Sequence, residues 1–275
     1  MKKMNERNPA VAGTFYNQKP LELRENIKKY FENSKSEQVS DDVLGIIAPH
    51  AGYPYSGQCA AYSYNQLKNI DFDTAVIVAP SHRAGGFDFS IGNYSKYNIP
   101  NGELKTDREL IDFLINKDGF DFYHQAHLYE HSLEVQLPFL QVIRPKVKIL
   151  PILFGNQNNR NSKVLSNALG ELKEKFNKKI VFIISSDLSH FYYSLKAEKM
   201  DNELIDYVSN IDVDGLVTAL ESNRVEACGF GGILSIMRLA QSYGYNAKKL
   251  FYTHSGKVTG DNTQVVGYLS SVFYK

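Results

Sequence analysis

The sequence predicts one α/β domain whose core is a mainly parallel sheet flanked by helices on both faces. Three observations carry this. Four short runs, residues 43–48, 75–79, 148–154 and 180–184, are apolar almost throughout, as strands buried on both faces require. Between them lie longer segments with apolar residues at helical spacing, the alternation from which parallel sheets are built. No repeat, low-complexity stretch or Pro/Gly/Ser-rich linker divides the 275 residues, 43% of them hydrophobic, so a single domain spanning residues 1–275 with one large core is the simplest organisation.

Taken in order, residues 11–16 read as extended, and 21–31 as a helix with Leu23, Ile27, Tyr30 and Phe31 at helical spacing. The strand at 43–48 leads to a helix over 56–67, for which Ser56 is the expected N-cap. After the strand at 75–79, an alternating region over 87–105 contains Asn101 and Gly102, turn residues that suggest a hairpin. Helices are expected at 107–117 and 133–143, a strand at 148–154, a helix at 162–176 and a strand at 180–184. Two or three helices fill 196–243, and strands at 250–253 and 265–273 close the chain.

Composition excludes several function classes. Thirty-one basic against 30 acidic residues give a net charge of +1, without the electrostatic footprint that DNA binding needs. The longest apolar runs fall far short of the ~20 residues that span a bilayer. Residues 1–7 are polar with no apolar stretch behind them, which argues against a signal peptide and for a cytoplasmic protein. Cys59 and Cys228 are too few for a disulfide framework and are expected to be free thiols.

The histidines fall in a pattern. The run at 44–48 leads into Pro49-His50, the run at 75–79 into Pro80-Ser81-His82, and the run at 181–184 into Ser185-Ser186-Asp187-Leu188-Ser189-His190. The strand at 250–253 leads into His254. In parallel α/β sheets the C-terminal strand edge is where ligands bind. Neutral imidazole ligates iron, copper or zinc, and near pH 7 it carries protons. Each ring taken alone could equally cap a strand end through a carbonyl; together they favour a shared pocket. Cys228 precedes Gly229, Phe230, Gly231 and Gly232 and then an apolar-periodic stretch, which puts its thiol at the start of a helix, where thiolate is favoured. Cys59 lies beside Ala60 and Ala61 and reads as a small buried hydrophobe.

His131 begins a segment whose Leu133, Leu137 and Leu140 face the core, so its ring either reaches the pocket or bonds the backbone. His124 and His127 lack the i, i+4 spacing of a helical zinc motif and read as loop or surface residues. Tyr53, Tyr55 and Phe15 are candidates for the pocket mouth, where aromatic faces recognise organic ligands. No glycine cluster completes a phosphate-binding loop, and no Gly-x-Ser-x-Gly motif marks a serine nucleophile.

Several segments, in this order, resemble the Memo family. They are Gly13-Thr14-Phe15-Tyr16, Pro49-His50-Ala51-Gly52-Tyr53, Tyr55-Ser56-Gly57 and Pro80-Ser81-His82. The Glu130-His131-Ser132-Leu133-Glu134-Val135-Gln136-Leu137-Pro138-Phe139-Leu140 block follows and is the most specific. Ser186-Asp187-Leu188-Ser189-His190, Cys228-Gly229, Thr259-Gly260-Asp261 and Val266-Gly267-Tyr268 complete the match. The resemblance implies a fold like that of class III extradiol dioxygenases, which hold non-haem iron(II) by two histidines and a carboxylate. It implies His50 and His82 as metal ligands, Cys228 in the third ligand position, His190 as acid/base, and Asp187 lining the same pocket. A thiolate in place of a carboxylate is softer and also suits copper(I) or zinc. The family commonly has Ser-Gly-Asp where this chain has Ser255-Gly256-Lys257, leaving Asp261 as the nearby acid.

Three functions compete. One is an iron(II) oxidoreductase, dioxygenase-like, with His190, Asp187 and His131 as catalytic groups. Another is a non-catalytic module or adaptor that captures a small molecule or peptide; the resemblance includes an animal member regarded as a signalling adaptor. A third is a metal-assisted hydrolase. The resemblance also implies a radical-SAM partner protein, as is common for prokaryotic members.

Overall fold

The computed structural model describes residues 4–275. The first three residues of the polar N-terminal segment lie outside the described residues. In chain order the elements are β1 (Met4–Arg7), α1 (Pro20–Asn33), β2 (Val43–Ala48), α2 (Tyr53–Asn65), β3 (Thr74–Pro80), β4 (Phe89–Ile91), β5 (Tyr94–Ile99) and β6 (Gly102–Lys105). Then come α3 (Arg108–Leu114), β7 (Phe120–Asp121), α4 (His124–Leu128), a 3-10 turn (Glu134–Gln136), α5 (Leu137–Ile143), β8 (Lys148–Phe154), α6 (Asn159–Lys175), β9 (Ile180–Ser185) and β10 (Asp187–Tyr192). The chain closes with α7 (Ser194–Ser209), α8 (Val213–Glu221), α9 (Phe230–Tyr243), β11 (Asn246–His254), α10 (Gly256–Thr259) and β12 (Val265–Tyr274).

The four apolar runs are the centre of a nine-stranded sheet, side by side and parallel in the order β2-β9-β3-β8. Their side chains alternate between two cores. Val76, Val78, Phe182 and Ile184 face one core with α6, α8 and α9, whereas Ala75, Ile77, Val181 and Ile183 face the other with α1, α2 and α5. Burial on both faces is why these runs carry almost no polar residue.

Around this parallel centre the flanking strands make the whole sheet mixed. β12 runs antiparallel to β2, β10 and β11, and β4 antiparallel to β8. Physical reasons are local: β11 and β12 are joined by too short a connection for a parallel crossover. β10 continues from β9 after Ser186 alone and pairs along the free part of β12. A small second sheet, β1-β5-β6, contains the hairpin expected around Asn101 and Gly102, where Gly102 has φ +153°.

Other expectations need correction. Residues 11–16 form a turn, not an extended segment; Gly13, at φ +86°, donates its N–H to Tyr16 O at 2.7 Å. α2 starts at Tyr53 with Gly52 as cap and Pro54 in its first turn, and the Ser56 hydroxyl instead donates to Ala51 O at 2.8 Å. The expected helix over 133–143 is a 3-10 turn followed by α5, which begins at Leu137 with Pro138 in its first turn. Among the described residues, no helix is long and apolar enough to cross a membrane.

Candidate metal centre

The C-terminal edge of the parallel strands gathers the site. His50 lies two residues beyond β2 and His82 two beyond β3, on either side of β9, which ends at Ser185. α9 brings Cys228 to the same edge from the helical layer. Its Gly231 lies against the Phe154 ring and its Gly232 against Ile184 and Val78, so close that larger residues would push the helix off the sheet.

One ring nitrogen from each of His50, His82 and His131 lies within 4.8 Å of the other two. The ring centroids are 4.8 Å apart for His82 and His131, 5.2 Å for His50 and His82, and 5.5 Å for His50 and His131. Cys228 Sγ lies 3.1 Å from His50 Nε2. His50 is buried, His131 half-buried and His82 exposed, so the cluster opens to solvent on the His82 side.

Hydrogen bonds fix which nitrogen is free. Gln136 Nε2 donates to Pro49 O and to Ser185 Oγ, both at 2.9 Å, while its Oε1 accepts from Tyr64. The Ser185 hydroxyl spends its one proton on Ser132 O at 2.7 Å. At His50 Nδ1, 2.8 Å away, Ser185 Oγ therefore accepts, and the imidazole carries its proton on Nδ1. His50 Nε2 is left with its lone pair facing Cys228. Burial first, then the neighbouring His82 and His131 rings, hold the His50 pKa well below the ordinary 6.5, so the ring is neutral.

Glu130 does the same for His82. Its carboxylate accepts from the His82 backbone N–H at 2.5 Å and from His82 Nδ1 at 3.0 Å, which leaves Nε2 free. Burial would raise this carboxyl's pKa, but the adjacent His131 and the bonds from His82 outweigh it and hold the group well below the usual carboxylate range. The buried His131 Nδ1 lies 3.2 Å from Glu130 Oε1, off the line of a hydrogen bond, and among the described residues it has no hydrogen-bond partner. Two oriented imidazoles with free nitrogens, the neighbouring His131 ring and a thiol in contact make a donor set that fits a soft or borderline metal ion.

The thiol departs from expectation. Although it stands at the start of α9, burial and the nearby Asp187 raise its pKa well above the usual thiol value, and the Asp187 N–H bonded to Sγ at 3.1 Å offsets this only in part. Desolvation outweighs the helix terminus here. Asp187 itself accepts the His50 N–H at 2.8 Å; its own pKa is raised by burial, against the opposing influence of that N–H and of His190. His190 lies on β10 rather than in a loop past a strand, with its N–H donated to Glu226 Oε1 at 2.6 Å.

Of the aromatic candidates, Phe15 packs on His131 with centroids 4.7 Å apart. Tyr55 is exposed. Tyr53 is buried, and its hydroxyl donates to Val135 O at 2.7 Å. Phe15 is delivered by the N-terminal segment, which Glu134 pins. This fully buried carboxylate accepts from Arg7 Nη1 at 2.5 Å, from the N–H groups of Ala10 and Val11, and from the Tyr16 hydroxyl at 2.6 Å.

The remaining histidines lie elsewhere. His127 is buried on α4, not on the surface, because its ring bonds Ser90 Oγ at 3.0 Å. His254 is wholly buried at the end of β11 beside Glu198, which Lys257 also approaches at 3.6 Å. Asp261 is exposed and turned to Thr263. Cys59 is buried, as expected. Sequence reasoning missed Ser185, Gln136, Glu226 and the part played by Glu130; the only signals were an acid next to His131 and a serine ending an otherwise apolar run.

A family model described as "Memo-like protein" matches residues 7–272. A "MEMO1 family protein" of Methanococcoides burtonii is 39% identical, over 97% of this chain and 99% of its own. Proteins of the same description from Methanobrevibacter smithii and Methanosarcina mazei are 35% and 36% identical, over 97% and 98% of this chain and 99% of each of theirs.

Proposed function

The chain belongs to the Memo family, and from that premise we propose that it is a metal-dependent oxidoreductase whose ion is held by His50, His82 and Cys228. The observation that carries this is the pair of oriented imidazoles: Ser185 and Glu130 each take up Nδ1, so Nε2 of both rings is free, and Cys228 Sγ lies 3.1 Å from one of them. Iron(II) is the proposed ion, with copper or zinc as the other candidates for a set that includes sulfur. When bound, it supplies the redox and Lewis-acid chemistry that the side chains lack.

The chain's own residues do the rest. Ser185 and Glu130 hold the ligand rings at fixed angles. Asp187 anchors the His50 backbone, and His190, close enough to influence the Asp187 charge, exchanges protons with a bound substrate. His131 with Phe15 forms one wall, and Tyr55 stands exposed on the following helix, where it could meet an organic ligand. The substrate is a small molecule or a peptide; a radical-SAM protein is the proposed partner, and the near-neutral charge gives no basis for DNA or membrane binding. The compartment consistent with this reading is the cytoplasm.

The test is elemental analysis of iron, copper and zinc in anaerobically purified protein, repeated with His50→Ala, His82→Ala and Cys228→Ser, followed by oxygen-uptake assays. Near-stoichiometric metal lost in each variant, with the fold retained, is the expected result. Wild-type protein that stays empty after reconstitution with iron(II) sinks the reading. Tight capture of a small molecule or peptide that survives metal removal would instead mark the alternative, a non-catalytic binding module or adaptor.

A further inference from the structure

An open cavity of about 380 Å³ lies between α8, α9 and the start of α6. Half of its lining is apolar, Val217, Leu220, Val225, Ala227, Phe230 and Leu234, and the other half is amide and carboxylate side chains. Such a volume is in the range of small-molecule pockets.

The charged groups that line it are of one sign. Glu221 and Glu226 both line the cavity, and among the described residues neither is paired with a cation. Arg224, between them in sequence, is committed to Glu203. Glu226 accepts the His190 N–H and the Tyr192 hydroxyl, which orients its carboxylate without neutralising it. Three of the four amide side chains on the rim are occupied: Asn158 caps α6 through the Asn161 N–H, Gln157 bonds Cys228 O and the Gly231 N–H, and Asn159 Oδ1 accepts from Arg238 Nη2 at 2.6 Å.

We propose that this cavity is a binding site for a compact apolar cation, such as an arylalkyl or alkyl amine, with its apolar group against Leu220 and Phe230 and its ammonium near Glu221 and Glu226. The apolar half of the lining favours burial of a hydrocarbon body, and two carboxylates without counter-ions favour a positive head over a neutral or negative one. The site is separate from the histidine cluster, yet Glu226 and Gln157 are shared: they line the cavity and hold the backbones of His190 and Cys228. Occupancy is therefore felt at the proposed metal centre, a consequence that rests on the metal reading; the binding itself does not.

The experiment is titration of the full-length protein with 2-phenylethylamine, followed by calorimetry and amide NMR, with 3-phenylpropionate as the oppositely charged control. Saturable binding of the amine alone is expected, with shifts at residues 217–234. Glu221→Gln should weaken it about 2- to 5-fold, the size of an exposed ion pair. Leu220→Trp and Val217→Phe, which fill the cavity, should abolish it while circular dichroism stays unchanged. Binding should persist in His50→Ala/His82→Ala protein, so failure of the metal reading leaves it intact. The proposal is overturned by absence of saturable amine binding, by equal binding of the carboxylate, or by binding that survives both cavity-filling variants.

Discussion

Ser185 Oγ lies 2.8 Å from His50 Nδ1, and because the serine's proton is already given to Ser132 O, the imidazole must donate. One hydroxyl at the end of a buried strand thus decides that the opposite nitrogen, facing Cys228, is the one free to bind. Glu130 decides the same for His82.

Replacing Ser185 by alanine should leave His50 Nδ1 without its acceptor and Gln136 with one fewer. The expected cost is ~1–3 kcal/mol of stability, read by urea unfolding. On the proposed reading, iron(II) affinity should drop about 10- to 100-fold, as for other residues that orient metal-binding histidines. Unchanged affinity would mean that Ser185 does not set the tautomer.

Glu134→Ala should be among the most damaging single changes away from the cluster. It strips the buried Arg7 of its counter-ion and releases the N-terminal segment that carries Phe15. Leaving a buried charge unpaired costs about 3–5 kcal/mol. Differential scanning calorimetry should show a large fall in Tm, and a fall within the scatter of surface substitutions would contradict this account.

His127 should make the fold sensitive to acid. Burial, then the Arg7 charge, push its pKa down to about 3 from the ordinary 6.5. The unfolded chain takes up a proton below pH 6.5 while the folded chain does not until about pH 3, so this contribution is full above 6.5 and falls with pH across that window. Measured against His127→Gln, wild-type stability should decline by about 1.4 kcal/mol per pH unit within it. A difference independent of pH would show that the ring protonates inside the fold.

Gly229→Ala should move Cys228 away from His50. A methyl group there would collide with the Ser185 carbonyl oxygen and meet the Ser186 side chain at 2.8 Å, and backbone cannot give way cheaply at the end of a central strand. Loss of metal with retained secondary structure is expected. Full metal content in the variant would show that the turn tolerates a Cβ.

Much of the fold was legible because the central strands are buried on both faces, which forces them to be apolar, and β2 and β8 have the boundaries that the sequence suggests. Legibility ended where tertiary pairing overrides local pattern. β10 mixes Asp187, Ser189 and His190 with Leu188, Phe191 and Tyr192 and has no continuous apolar run, and its pairing with β12 makes it a strand. His127 sits in a segment without helical period, and nothing local shows that Ser90 is waiting for its ring.

The sequence by itself determined the α/β class, the family and the placement of His50 and His82 at strand ends, because hydrophobic patterning and local motifs are properties of neighbouring residues. Only the tertiary structure decided that His131 joins them, that Ser185 and Glu130 orient the rings, and that burial beside Asp187 raises the Cys228 thiol pKa. Those outcomes depend on which groups meet across the sheet and how much water they lose. Neither quantity is written in any one stretch of chain.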